Sequence, residues 1–317
     1  MRSAALGTPP AQRREKIPLA LLSICGAVAL ATTMDGAVKW LSGEYPVHQL
    51  MFLRCAAAIP VLLVILGLRW SELTVIPPQW PMILLRAIIM ATGYLSFVLA
   101  IAAIPLADAV AIYFTMPLIV AALAGPLLGE KVPLARWAVI TIGFLGVLVM
   151  IRPGAGVFEP AALFALWAAF AYGTGQMLTR RIGFAVRPSV IAFHQNTIYL
   201  AIAGLLSLAF GFGQFATEVH PSLGFLLRGW STPPLFDLVL MLSLGLLSGT
   251  AMVLFTQAYR LAEANLVAPF EYTGMFWATF YGLLLFGDFP DLATFLGAAL
   301  VIGAGLYMLA NDRRSRG

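Results

Sequence analysis

An all-α integral membrane protein with ten transmembrane helices, built as two inverted five-helix repeats, is the fold class this sequence predicts. Three observations predict it. Hydrophobic residues make up 61% of the chain and charged residues 10%, against about 45–50% and about 25% in soluble domains. Ten continuous apolar stretches of roughly twenty residues follow one another. That is the length needed to cross a hydrocarbon core about 30 Å thick, and a β-barrel would show short alternating segments instead. Finally, the second five stretches repeat the landmarks of the first five. Leu106-Ala-Asp-Ala109 returns as Leu261-Ala-Glu-Ala264, and each copy leads into an apolar run that stops at a Gly-acid pair, Gly129-Glu130 and Gly287-Asp288. Leu134/Leu292, Ala135/Ala293 and Met150/Met308 then recur at an offset of 158, against 155 for the earlier blocks. Copies of a unit with an odd number of spans must lie in the membrane with opposite orientation, the plan of alternating-access carriers.

The predicted spans are residues 17–41, 47–68, 82–103, 108–128, 133–151, 160–179, 188–212, 235–259, 264–286 and 290–310. Span one follows basic residues as a signal peptide would. It is too long for a signal-peptide core and no polar domain follows, so it is expected to be retained. Cys25 in span one and Cys55 in span two read as small hydrophobes rather than disulfide or metal ligands. Spans three and four rest on the charge-free windows 87–107 and 109–129, and span five opens at Pro133. Spans six and seven occupy the charge-free windows 160–179 and 188–217; His194 and Asn196 in span seven suggest helix-to-helix hydrogen bonds. The linker 213–234, with Glu218 and His220, reads as an exposed loop, and His48 is likewise expected to be solvated. Span eight carries Gly245 and Gly249, which like Gly125 and Gly129 at the end of span four have the small-xxx-small spacing of close helix packing. Span nine ends at Gly287, suited to a left-handed helix end. Asp288 then reads as an N-cap with Pro290 in the first turn of span ten. The organisation is thus a tail at 1–16, a first repeat at 17–152, a second at 153–310 and a tail at 311–317.

The net charge of +5 does not point to nucleic acid, because the basic residues sort by side of the membrane. With the N-terminus inside, fifteen fall on the cytoplasmic side, Arg86 among them, against Arg152 and Arg228 in outer loops and Lys39 and Arg54 within spans. This positive-inside bias places both termini in the cytoplasm of a multi-pass protein of a bacterial-type inner membrane. The expected partners are the lipid bilayer and a small-molecule substrate. A monomer is expected, with an oligomer left open.

The stretches Gly125-Pro-Leu-Leu-Gly-Glu-Lys131 and Pro269-Phe-Glu-Tyr-Thr-Gly274, running on to Gly287-Asp-Phe-Pro290, resemble the drug/metabolite transporter superfamily, specifically its EamA-type proteins of two five-helix repeats. The likeness covers almost the whole chain. It implies transport of small metabolites, with spans one, three, four, six, eight and nine around a central cavity. Relatives of this kind include amino-acid exporters, uptake carriers for S-adenosylmethionine, riboflavin or sugars, and exporters of drugs and nucleosides.

Ionisable groups within hydrocarbon are costly and face the bundle interior or water. Glu271 lies about 6 Å from the middle of span nine at about 1.5 Å per residue, two residues after Pro269, which removes a backbone donor and kinks the helix. Asp35 and Lys39 stand at i and i+4 in span one, close enough to pair, and Arg54 in span two either completes that network or reaches the headgroups. Tyr113 and Pro117 share a face of span four, and Tyr172 and Gln176 a face of span six. Tyr94, Gln257, Tyr272 and Trp277 add hydrogen-bonding groups and aromatic surface. Such a wall suits a solute with an amine and an apolar body; the ordinary alternative is packing and interface anchoring.

No catalytic constellation, metal-ligand spacing or cofactor motif is expected. Lys16, Lys39 and Lys131 follow Glu, Val and Glu, so no phosphate-binding Gly-Lys loop can be written. The function expected is secondary transport of small metabolites by alternating access, foremost export of amino acids or related amphipathic metabolites. Uptake of a cofactor-like solute such as S-adenosylmethionine or riboflavin is the alternative, and a channel or structural membrane component is the alternative of another class.

Overall fold

A helix in water needs one apolar stripe, whereas a helix apolar on every side is buried in protein or in lipid. The helices here are of the second kind: Leu22, Val64, Leu145, Leu208, Leu246 and Leu284 point outward, fully half or more of each exposed, while Ala20, Ile24, Met51, Ile101 and Met241 face the interior. The computed structural model describes residues 10–65, 78–128, 134–152, 159–182, 186, 188–217, 219–261 and 267–314. All regular structure among them is helical.

In chain order the helices are α1 (Pro10–Leu41), α2 (Val47–Ile65), α3 (Trp80–Ala103), α4 (Leu106–Tyr113), α5 (Met116–Leu128), α6 (Leu134–Ile151), α7 (Ala161–Ile182), α8 (Pro188–Phe210), α9 (Pro221–Leu227), α10 (Leu235–Leu261), α11 (Thr273–Tyr281) and α12 (Leu292–Arg314). Among the described residues, six are long and apolar enough to cross a membrane: α1, α2, α3, α7, α8 and α10. Shorter apolar stretches lie at Leu106–Val120, Trp137–Ile151 and Leu292–Met308. The repeat landmarks at Gly129-Glu130 and at residues 262–264 lie outside the described residues.

Two of the expected spans are not single helices. Span four breaks between α4 and α5 at Phe114-Thr115, just before Pro117. A proline ring clashes with the carbonyl four residues back, here Tyr113, and supplies no N–H to it. The Thr115 hydroxyl bends back to Ile112 O at 2.7 Å and steadies the step. Span nine is built of three pieces: a 3-10 turn Ala268–Tyr272 containing Pro269, then α11, then a π-helical segment Gly282–Phe286. It ends at Gly287 with φ of 69°, the left-handed residue expected there. The expected cap is displaced, however. Asp291, not Asp288, accepts from the Thr294 N–H at 2.8 Å, because α12 starts at Leu292 and not at the expected 290.

The packing pairs are matched across the chain. α1 packs along α10 as α3 packs along α7; α2 meets α10 as α8 meets α3; and α2–α8, α6–α12 and α4–α11 pair across the two sets. At the α6–α12 seam a Cβ on Gly146 or Gly297 would fall 2.7 or 2.5 Å from the other's carbonyl oxygen, so the backbones touch. Gly245 and Gly249 likewise seat α10 against Arg54 O and Val61 of α2.

One end of the bundle is tied together through α9 and the turns beside it. Ser222 Oγ donates to Leu99 O at 2.7 Å, Gln49 Nε2 to Ser231 O at 2.7 Å, and Arg228 to Ser42 O at 3.0 Å. His220 is not a free loop residue: it caps α9 and lies 2.8 Å from Glu159 Oε1. His48 is fully buried, against expectation, and accepts from Trp230 Nε1 at 2.9 Å. Both corrections have one cause: the linker folds into α9 and covers this end. Asn196 Nδ2 reaches Cys55 O on α2 at 2.9 Å, the interhelical bond expected, while His194 bonds Val190 O on its own helix. Cys25 and Cys55 are both free thiols.

Candidate functional site

Most of the polar residues singled out in the spans meet in the middle of the bundle. α3 presents Tyr94, whose ring stacks on Tyr199 of α8 at 5.9 Å and receives the Arg54 guanidinium from α2 at 4.1 Å. Arg54 therefore turns inward; the face of an aromatic ring attracts a cation more strongly where water is excluded. Asp35 of α1 lies within electrostatic reach of Arg54, Tyr94 and Tyr113. Tyr113, at the last turn of α4, meets Phe97 at 5.3 Å and Tyr172 of α7 at 5.7 Å. Tyr172 and Gln176 share a hydrogen bond, and Glu271 lies within electrostatic reach of Tyr113 and Tyr172. The break before Pro117 ends α4 at Tyr113, and the 3-10 turn after Pro269 sets Glu271 among these rings. The cluster therefore combines two carboxylates, a guanidinium and a wall of phenol rings.

Three candidates stand apart. Tyr272 packs edge-on against Phe114 at 5.1 Å and its hydroxyl presses on Gly305 of α12, buried without a partner. Trp277 stacks among Phe276, Phe280 and Tyr281 and packs on the cluster around Ile24 and Val28. Gln257 is half-buried near the end of α10.

Lys39 does not pair with Asp35. Its Nζ lies 3.5 Å from Asp288 and donates to Ile104 O at 2.6 Å, with the Phe286 ring 5.1 Å away. Asp35 points to the middle of the bundle while Lys39, one turn on, reaches the tied end. There Arg152 pairs with Asp291, whose carboxyl is held below the usual range chiefly by that hydrogen bond. Tyr45 donates to Asp237 at 2.6 Å, a bond that pushes its hydroxyl up to about 12.

Arg86, a cytoplasmic-side charge at the start of span three in the sequence, lies within α3 and is only 8% exposed. It donates to Thr179 of α7 and Gln195 of α8. Neither it nor Tyr199 was singled out, because an arginine one turn inside a helix start reads as a flanking charge. Asp108 was seen only as a repeat landmark. Its Oδ1 is buried without a hydrogen-bond partner.

Apolar helices of spanning length, two helices interrupted at prolines, and an ionic and aromatic cluster beside those interruptions define the class: a multi-pass membrane transporter. The EamA-like transporter family matches residues 18–152. The riboflavin transporter of Rhizobium johnstonii is 31% identical over 73% of this chain and 70% of its own. The S-adenosylmethionine uptake transporter of Rickettsia bellii is 25% identical over 73% of each chain. The pseudopaline exporter CntI of Pseudomonas aeruginosa is 26% identical over 86% of this chain and 89% of its own. A protein of known crystal structure aligns over 95% of this chain and 99% of its own with a TM-score of 0.61 at 21% identity, a likeness of fold. The chain belongs to the EamA-like transporter family of the drug/metabolite transporter superfamily and is a transporter, not an enzyme.

Proposed function

We propose that the protein is a secondary transporter of ten crossings whose repeats, 17–152 and 153–310, lie inverted and expose one central site to each side in turn. The observation that carries this reading is the position of the helix breaks. Residues 268–272, less the repeat offset of 155, are residues 113–117, the stretch in which α4 gives way to α5. α4 and α11, which flank these breaks, also pack on one another. Interrupted helices leave backbone groups unpaired at depth, which is tolerated only where protein or water meets them. The exchange of α1–α10 for α3–α7 supports two copies of one unit. Positive-inside sorting puts the termini in the cytoplasm and the α9 end outside.

The solute is a small amphipathic metabolite. Its apolar body lies against Tyr94, Tyr113 and Tyr172, an amine faces Asp35 or Glu271, and an acidic group faces Arg54. Amino acids and their derivatives have this pattern, and export is the direction foremost. Relatives named for riboflavin and S-adenosylmethionine favour a second reading, uptake of a cofactor-like solute. Flux into liposomes containing the purified protein tests both. Saturable movement of an amino acid, accelerated by the same solute on the far side, supports the first; inhibition by the cofactor but not the amino acid selects the second. A current linear in voltage with no saturation overturns the carrier.

A further inference from the structure

The tied end holds an ionic network whose composition does not balance. Around Asp108, in the first turn of α4, stand Lys39 from α1, Arg152 at the end of α6, and Asp288 and Asp291 from the turn into α12. The Thr294 hydroxyl of α12 is within hydrogen-bonding reach. α3, α7 and α11 also pack on α4 but bring no charged side chain into these surroundings among the described residues. Glu159, before α7, is engaged by His220. Two cations thus face three carboxylates. Lys39 is matched to Asp288 and Arg152 to Asp291, leaving Asp108 without a cation of its own. Its Oδ1 is buried and unpaired, and in the same network Arg152 Nε is buried and unpaired. Asp108 is otherwise partly exposed and bonded to Thr294, but a carboxylate oxygen shut from water with no donor disfavours the ionised form, and protonation relieves it.

We propose that Asp108 is the proton-binding carboxylate of an outer gate. With the α9 end tied shut, Asp108 is neutral and Arg152 is held by Asp291. When the 287–291 turn swings away, Arg152 turns its vacant Nε to Asp108, which ionises and releases one proton to the outer water; closing takes one proton back. The two pairings, Arg152 with Asp291 and Arg152 with Asp108, are the two states of one switch, and pH biases it because only one of them binds the extra proton. The closed state binds more protons, so rising outer pH favours opening. This rests on the transport reading and on the sidedness given with it.

The test needs no known solute. Spin labels at Gly43→Cys and Phe289→Cys, with Cys25 and Cys55 replaced by alanine, report the distance across this end in lipid nanodiscs between pH 5 and pH 9. The expected result is a shift from the short to the long distance as pH rises, with a slope of about one proton per opening. Asp108→Asn is expected to stay short at every pH while its melting temperature shows it folded. Asp108→Glu is expected to restore a pH-dependent shift, which keeps the test decisive if the asparagine variant fails to fold. Asp288→Asn is expected to favour the long distance while keeping the pH dependence. An unchanged pH profile in Asp108→Asn, or no pH dependence in the wild type, overturns the proposal. Absence of carrier-mediated flux for every solute instead overturns the transport reading and leaves the distances unexplained.

Discussion

Glu271 and Asp35 come from different segments of the chain yet both face Tyr113, and on the proposed reading one bound solute meets both charges. Glu271→Gln keeps the size of the side chain and removes the charge. Transport is expected to fall at least about tenfold with expression unchanged, since about 1.4 kcal/mol of a lost charged contact already gives that factor; flux in liposomes per folded protein checks it. Arg54 and Asp35 are expected to be coupled. Arg54→Met alone leaves the half-buried Asp35 carboxylate without its nearby cation, whereas Arg54→Met with Asp35→Asn removes both charges. A double-mutant cycle on thermal stability should give a coupling of about 1 kcal/mol, and strict additivity would show that each group is satisfied by other partners. At this scale the sequence was partly legible. Depth in an apolar run marked Asp35, Arg54 and Glu271, because charge in hydrocarbon is its own signal. Lys39 was misassigned, since helix spacing says which residues share a face but not which helix lies opposite. Arg86 and Asp108 were passed over because each stands within a turn or two of a helix start, where charge is ordinary.

At the scale of the elements, apolar run lengths gave the six helices long enough to span a membrane among the described residues, and Pro117 and Pro269 marked where two further apolar runs break. The extent of the breaks was not readable. A proline dictates loss of a hydrogen bond, but whether the chain answers with a bend, a 3-10 turn or a π segment depends on neighbours far away in sequence. The displaced cap of α12 has the same origin: Asp288 is drawn to Lys39 of α1, and Asp291 takes the capping role. Glycine spacing was legible as close packing at Gly245 and Gly249, while the comparably close contact of Gly146 with Gly297 pairs two glycines of distant segments and carries no Gly-xxx-Gly signal. Gly146→Ala would force two backbones apart. It is expected to cost about 1–3 kcal/mol, read as a lower melting temperature in detergent, and Gly303→Ala, where nothing lies within 4 Å, is the matched control.

For the molecule as a whole, the proposed duplication is read from landmarks that recur at offsets of 155 and 158, which need no structure to be seen. How the halves pair was not visible. Only the fold shows that α1 runs along α10 as α3 runs along α7, so that each half contributes to both walls of the central cluster. Nor was the cover at the α9 end, where a loop by composition proves to be a folded lid of hydrogen bonds. The helix breaks carry one more consequence. In most membrane helices the amides at mid-depth are the last to trade hydrogen for deuterium and those at the ends the first. Around residues 113–117 and 268–272 that order should reverse, with isotope entering the heart of the bundle before it enters the unbroken stretches of α3 and α10 above and below. Mass spectrometry of the protein in nanodiscs would show it as two fast-labelling peptides flanked by slow ones. Uniformly slow labelling there would mean that the interruptions are sealed and move no solute.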